Sequence, residues 1–518
     1  MFTVENVRGP FLVVVPLSTI EHWRREVAGW TDMTLCVYHD VGGGTGGTAS
    51  EMRAVIREYE WYYAGRPRSM LKCHVLVTTY DDLTRDQTAL SSIPWRAVVV
   101  DEAHRLRNQE SKLLEALRGV LAKGQAEHDY QHRILMTGTP MQNNIGELWS
   151  LLNFIQPDVF ANGDHFMRTW GDIHEEHQVR TLQGQLAPYL LRRVKEDVAS
   201  DIPPKEETIV EVELTMLQKQ YYRAILEKNH AVLSRSGGGR AQSMPSLMNV
   251  QMELRKCCNH PFMVRGVEDY EVELVSYGDE DGKNGKQGKK TRVGEEGRRE
   301  VLRQRARLEK GLVQGAGKMV LLDKLLPKLQ SEDHKVLIFS QFIGMIDMLS
   351  EFCRLRGFKH ERLDGRVTGN ERQRAIDRFN TDPSAFVFLL STRAGGVGIN
   401  LTAADTCIIY DSDWNPQNDI QAMARCHRIG QTKDVSVYRL ITRNSFEQEM
   451  FERASKKLGL ERAVLGDAER SEKMTSTEME RLLRQGAYAI MNEDEDDERA
   501  AREFNEMSID KILEQRSR

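Results

Sequence analysis

At 518 residues, with 29% charged residues and a formal net charge of −5, the chain has the composition of a globular protein large enough for two or three cores. Such a near-balanced total does not exclude nucleic acid, because binding depends on local basic patches rather than on the sum. The seven cysteines (Cys36, Cys73, Cys257, Cys258, Cys353, Cys407 and Cys426) form no C-x-x-C pair, which argues against a zinc site or disulfide framework and for reduced thiols inside a cell. No apolar run approaches membrane-spanning length and no signal peptide opens the chain, so the cytosol or nucleus is expected.

In chain order, four short apolar runs predict buried strands: Phe11–Val15, His74–Val77, Ala97–Val100 and Ile134–Met136. Amphipathic segments lie between them, as in Ile20–Trp30 and Glu110–Leu121, and the alternation predicts a doubly wound parallel sheet. Polar residues follow each strand: PLSTI (16–20), TTYD (78–81), DEAH (101–104) and TGTPMQN (137–143). They are expected to share the carboxyl edge of the sheet, where open α/β sheets bind ligands. The organising stretch is AVVVDEAH. Asp101 is placed to hold Mg²⁺ on a nucleotide, since hard oxygen ligands at a strand end meet that ion. Glu102 is placed to orient or deprotonate an attacking water.

No G-x-x-x-x-G-K-[ST] phosphate cradle occurs. GGGTGGTA (42–49) has no lysine and reads as a flexible loop, and GAGK (315–318) runs into Met319 and reads as a helix entry. The strand and loop that would precede PLSTI in the helicase-like lobe it resembles are expected to lie outside this sequence, leaving that first lobe truncated.

In the middle, Glu147–Phe154 has helical spacing of apolar residues, and Leu190–Val198 reads as an amphipathic segment with a solvated basic face. Ile209–Gln218 and a helix at Tyr221–Leu233 lead to LMNVQMELRKCCNH (247–260). Its Cys257, Cys258 and His260 have the identities of metal ligands, but adjacent cysteines on a helix do not converge on one ion. Gly278–Lys310 is polar and nearly devoid of apolar residues, hence a linker or insert.

The alternation resumes at Lys318, with strands expected at Val336–Phe339, Phe386–Leu390, Thr406–Tyr410 and Val435–Leu440. SQ (340–341), STRAGGVGINL (391–401) and DSDWNP (411–416) follow the first three. QAMARCHRIGQ (421–431) is expected to be helical, so that Arg425 and Arg428 share a face. Permanently charged, planar guanidinium groups suit the charge that builds on a transferring phosphoryl group. The end of the chain, Glu469–Arg518, shows two short helical patterns around an acidic run and reads as a solvated tail.

PLSTI, DEAH and TGTPMQN resemble motifs of the first motor lobe of superfamily 2 helicases. With VLIFSQF, STRAGGVGINL, DSDWNP and QAMARCHRIGQ, the set resembles the SWI/SNF-type chromatin-remodelling ATPases. VEVELTMLQKQYYRAILEKN, MELRKCCNHPF, KLGLERAVL and LLRQGAYAIM look like the chromodomain-helicase-DNA-binding subfamily. The resemblance implies two tandem RecA-like α/β lobes: a first lobe over 1–200, a helical insertion and basic linker over 201–316, a second lobe over 317–465 and a regulatory, acidic segment over 466–518. It implies ATP and Mg²⁺ as cofactors, with Asp101 on the metal and Glu102 on the water. Arg425 and Arg428 would be arginine fingers, with Gln421, Gly398 and Asn400 lining the nucleotide cleft. Ser18, Thr19, Thr79, Ser340, Gln341, Thr392 and Trp414 would lie along DNA, and His104, Thr137 and Thr139 would couple the ATP site to that track. The implied partners are duplex DNA, nucleosomal histones and other remodelling subunits, in the nucleus and away from membranes. Two other readings compete: a non-hydrolysing DNA- or histone-binding fragment, since the phosphate cradle is missing, and a DEAH-type RNA helicase.

Overall fold

The structure is a computed structural model that describes residues 7–39, 48–63, 71–106, 112–127, 131–138, 145–170, 181–182, 184–191, 193, 202–228, 244–267, 311–367, 369–395, 398–464 and 495–517. The chain divides into two compact units, with Met1–Arg193 forming most of the first and Val194–Gly396, Asn400–Lys457 and Lys473–Arg518 the second.

The first unit is built on a five-stranded parallel sheet, ordered β2-β3-β1-β4-β5. Its strands are β1 (Phe11–Val15), β2 (Leu35–Tyr38), β3 (Val75–Thr79), β4 (Ala97–Asp101) and β5 (His132–Met136). β1 and β3 are buried along their whole length, as their uninterrupted apolar runs require of strands covered on both faces. The covering helices include α1 (Ile20–Trp30), α2 (Ala49–Ile56), α3 (Tyr80–Arg85), α4 (Lys112–Glu127) and α5 (Ile145–Ile155). Trp61, Trp95, Leu117 and Phe154 fill one layer beneath the sheet, and Phe11, Val13, Ile20 and Val77 the other. β5 differs. It is an edge strand, and Ile134 and Met136 remain 48% and 43% exposed.

The second unit carries a six-stranded parallel sheet, ordered β6-β11-β10-β7-β9-β8. The strands are β6 (Lys205–Val212), β7 (Val336–Ser340), β8 (His360–Leu363), β9 (Val387–Ser391), β10 (Thr406–Ile409) and β11 (Val435–Thr442). Helices α6 (Met216–Lys228), α7 (Met244–Asn259), α8 (Gly317–Ser331), α9 (Ile343–Arg356), α10 (Gly369–Thr381), α11 (Pro416–Met423), α12 (Phe446–Val464), α13 (Glu495–Glu506) and α14 (Ile509–Arg516) accompany it. Met319, Leu322, Ile338, Ile346, Phe352 and Leu389 form its main core. The two-sheet α/β architecture expected from the sequence is thus observed.

Three expectations need correcting. The stretch assigned to a helical insertion contains β6, whose Val210 and Val212 are buried at alternate positions while Lys205, Glu206 and Glu207 face solvent. The acidic end is not simply a solvated tail: α13 and α14 bury Phe504 and Ile512 against α8, and Ser517 bridges antiparallel to Val210. Lys324 Nζ donates to the carbonyls of Phe504, Asn505 and Met507, closing the end of α13. Finally, Arg425 and Arg428 are not on a helix, as set out below. Gly278–Lys310 and most of Leu190–Val198 lie outside the described residues.

Candidate functional site

In a parallel sheet every strand delivers its carboxyl end to the same edge, so the sites follow from what stands after each strand. β4 ends at Asp101, and the chain turns at once through Glu102, whose φ of +51° is left-handed. A residue with a Cβ meets a penalty of about 1–3 kcal/mol there, and such strain concentrates at functional sites. The turn is held by Glu102 N donating to Asp101 Oδ1 at 2.9 Å, while Trp23 Nε1 from α1 donates to Oδ2 at 3.1 Å. The Tyr80 hydroxyl donates to the Asp101 carbonyl, and the Arg105 guanidinium lies 4.9 Å from the Tyr80 ring centre.

Burial raises the Asp101 carboxyl above the ordinary range; the Trp23 hydrogen bond opposes this and the neighbouring Glu102 charge adds to it. Glu102 Oε2 stands 3.1 Å from His104 Nδ1. Each Asp101 oxygen accepts one of these hydrogen bonds and keeps a lone pair. A single half-buried carboxylate of this kind fits Mg²⁺, which retains several waters. Among the described residues no group of three His, Cys, Asp or Glu side chains converges as a metal cage, so a metal here would be held by Asp101 with water and substrate oxygens.

The remaining first-unit residues are placed differently from one another. Ser18 and Thr19 lie in a 3₁₀ turn, Leu17–Thr19, where Ser18 is half-buried and Thr19 is buried with its hydroxyl donating to the Pro16 carbonyl. Thr79 is buried too. Its hydroxyl caps α3, accepting from Asp82 N and donating to Asp82 Oδ2 at 2.8 Å. Asp82 in turn meets Arg53 and His39. Thr137 follows β5 and is half-buried; Thr139 lies outside the described residues.

In the second unit α11 stops at Met423, and Arg425 and Arg428 fall in the turns that follow. The helix is interrupted by competing bonds. Arg425 Nε donates to the Gln421 carbonyl at 2.9 Å, and the Arg425 carbonyl accepts from Leu401 N instead of extending the ladder. Gly430 then takes a φ of +98°, open only to glycine without strain. Arg425 is buried and Arg428 half-buried. Gln431 Nε2, also buried, ties the turn to the carbonyls of Thr402, Ala404 and Cys426. Gly398, which groups with the first unit, has φ +65°; Asn400 is exposed, and Thr392 is buried just after β9.

Ser340 ends β7 and Gln341 follows it, and Trp414 follows β10. Ser340 is fully buried and its hydroxyl donates to Asp411 Oδ2 at 2.5 Å; Gln341 N donates to Oδ1 at 2.8 Å. Gln341 Nε2 donates to the Ser412 carbonyl at 2.6 Å, and the Trp414 ring meets Phe446 edge-on at 5.8 Å. Ser340 and Gln341 are therefore organised by one buried carboxylate, Asp411. Sequence reasoning missed Trp23, Tyr80, Asp411, Asn259, Lys318 and Glu447. The available signal was Lys318, a lone charge entering the apolar run of α8, which a buried helix tolerates only with partners.

The comparisons agree with this architecture. The SNF2-related domain matches residues 1–263, and the helicase conserved C-terminal domain matches residues 317–430. The chain belongs to the SNF2-related family. It is 49% identical over 526 residues to chromodomain-helicase-DNA-binding protein 7 of Homo sapiens, covering 99% of this chain and 16% of that protein. It is 48% identical to protein 6 of Rattus norvegicus and to protein 8 of Mus musculus, with 99% of this chain and 18% and 19% of those relatives covered. The chain thus spans less than one-fifth of the length of these relatives.

Proposed function

We propose that this chain is the motor portion of a DNA-dependent ATPase of the chromatin-remodelling kind, which translocates on duplex DNA and slides nucleosomes in the nucleus. The observation that carries the reading is the strained carboxyl end of β4, where Asp101 is held by Trp23 and the backbone while Glu102 projects beside His104. Family membership and the relatives' names, which pair helicase with DNA binding, support it. Magnesium-bound ATP would supply the phosphoryl group and a compact positive charge, with Asp101 as the protein ligand. Glu102 takes the water role: its carboxylate orients the attacking water and accepts its proton. Arg425 and Arg428 supply delocalised positive charge for phosphoryl oxygens, and Arg425 is preorganised by its bond to Gln421. The loops after β7 and β10 contact the DNA backbone, so no base preference is expected.

A phosphate cradle does not occur among the 518 residues. The test is ATP hydrolysis by this chain with and without duplex DNA. Duplex stimulation, lost by at least about 10²-fold in Glu102→Gln, is expected. Stimulation by RNA but not duplex DNA would turn the reading toward an RNA helicase. DNA binding without hydrolysis would leave a binding module.

A further inference from the structure

The sequence places α7 in an insertion, yet its last turns reach the carboxyl edge of the second sheet. Asn259 Nδ2 donates to Asp411 Oδ2 at 3.0 Å, on the same carboxylate that holds the Ser340 hydroxyl and the Gln341 amide. One turn earlier, Arg255 donates to the Ser412 carbonyl at 3.1 Å, the acceptor shared by the Gln341 side chain, and its guanidinium lies 5.4 Å from the Phe342 ring centre. Asn259 is itself fixed from the far side. Its Oδ1 accepts from Lys318 Nζ at 3.1 Å and its carbonyl accepts from the Tyr410 hydroxyl at 3.0 Å. Lys318 also donates to the Tyr410 carbonyl at 2.8 Å and to Glu447 Oε1 at 2.5 Å.

Asn259, Lys318 and Asp411 are all essentially inaccessible to solvent, so none of these groups can exchange its partner for water. Because one carboxylate collects donors from the loop after β7 and from α7, a shift of α7 moves Ser340–Phe342 and Asp411–Trp414 together.

We propose that Asn259 and Arg255 are positioning residues for the DNA-contacting loops of the second unit, so that α7, packed against α6, sets how firmly duplex DNA is held. This rests on the DNA-binding role of those loops given under Proposed function. Neither side chain touches DNA in this scheme. They act through Asp411 and Ser412. The two residues are polar and buried where apolar packing would be more stable, which is the expected mark of a group retained for geometry.

The test is binding of a fluorescein-labelled duplex to the 518-residue chain across a salt series, with thermal melting of each variant as the control for folding. Asn259→Ala and Arg255→Met are expected to weaken binding about tenfold, as small misplacements of a preorganised site do. Arg255→Lys, which keeps a donor for the Ser412 carbonyl, is expected to restore most of the affinity. The slope of log Kd against log salt should stay as in the unsubstituted chain, because no phosphate contact is removed. A slope reduced by about one in Arg255→Met would show Arg255 on a phosphate and overturn the positioning role. Unchanged affinity in both folded variants would overturn it as well. Should Asn259→Ala fail to melt cooperatively, the Arg255 pair decides. If the unsubstituted chain binds no duplex at all, the reading under Proposed function fails first and this inference with it.

Discussion

At the scale of single residues, the structure separates side chains that look alike in the sequence. Arg425 and Arg428 are both arginines in one short motif, but only Arg425 is buried, with its Nε spent on the Gln421 carbonyl. Arg428→Lys should therefore lower DNA-stimulated turnover by about 10³-fold while leaving the melting temperature unchanged. Arg425→Lys should lower both, because the turn loses a hydrogen bond worth about 1–3 kcal/mol; equal melting temperatures for the two variants would refute that distinction.

His260 gives a pH prediction. Its Nδ1 accepts from Phe262 N at 3.1 Å and its Nε2 lies 3.0 Å from the Leu312 carbonyl, which fixes a neutral ring with the proton on Nε2. Burial pushes its pKa down from 6.5 to about 4, with the hydrogen bond to Leu312 opposing. The unfolded chain binds this proton more readily. The stability tied to the neutral ring is thus complete above about pH 6.5 and is lost as the pH falls toward 4, by about 3 kcal/mol in all. Urea unfolding of the native chain and of His260→Gln should show that slope only in the former. Both ring nitrogens of His260 are engaged by these two bonds, and among the described residues no metal-ligating cluster forms around Cys257 and Cys258.

At the scale of elements, legibility tracked short apolar runs, including that of the exposed edge strand β5. β1, β4, β7, β9 and β10 could be read directly, because a central parallel strand is a continuous apolar run. β8 (His360–Leu363) could not, since this edge strand is polar and is held by Arg378 pairing with Glu361 and Arg362 with Asp364. The DEAH carboxylates were legible because a strand ending in acids is a local pattern. The clamp of Asn259, Lys318 and Glu447 was not, since its members are more than fifty residues apart in sequence and meet only in the fold. Helical patterning around the acidic run was legible, but the docking of α13 and α14 was not, although Phe504, Ile509, Ile512 and Leu513 supply an apolar face. Their docking has a measurable consequence. Ile512→Ala should cost about 2–5 kcal/mol in the urea unfolding of the second unit. A loss below about 0.5 kcal/mol would mean that these helices do not pack there.

At the scale of the whole molecule, a chain of net charge −5 must draw any hold on DNA from where its polar groups stand rather than from its total. Both sheets place polar groups in the same way: parallel strands deliver Thr79, Asp101 and Thr137 to one edge of the first sheet, and Ser340, Thr392 and Asp411 stand at one edge of the second. The margin opposite that order is less tidy. Among the described residues β5 pairs with β4 alone and carries exposed Ile134 and Met136, and an apolar edge of that kind recruits extended backbone. Concentrated solutions of the chain should therefore self-associate, and a lysine at Ile134 (Ile134→Lys) should suppress the rise in light scattering. Handling of this protein in the laboratory will be governed by that seam before any chemistry is seen.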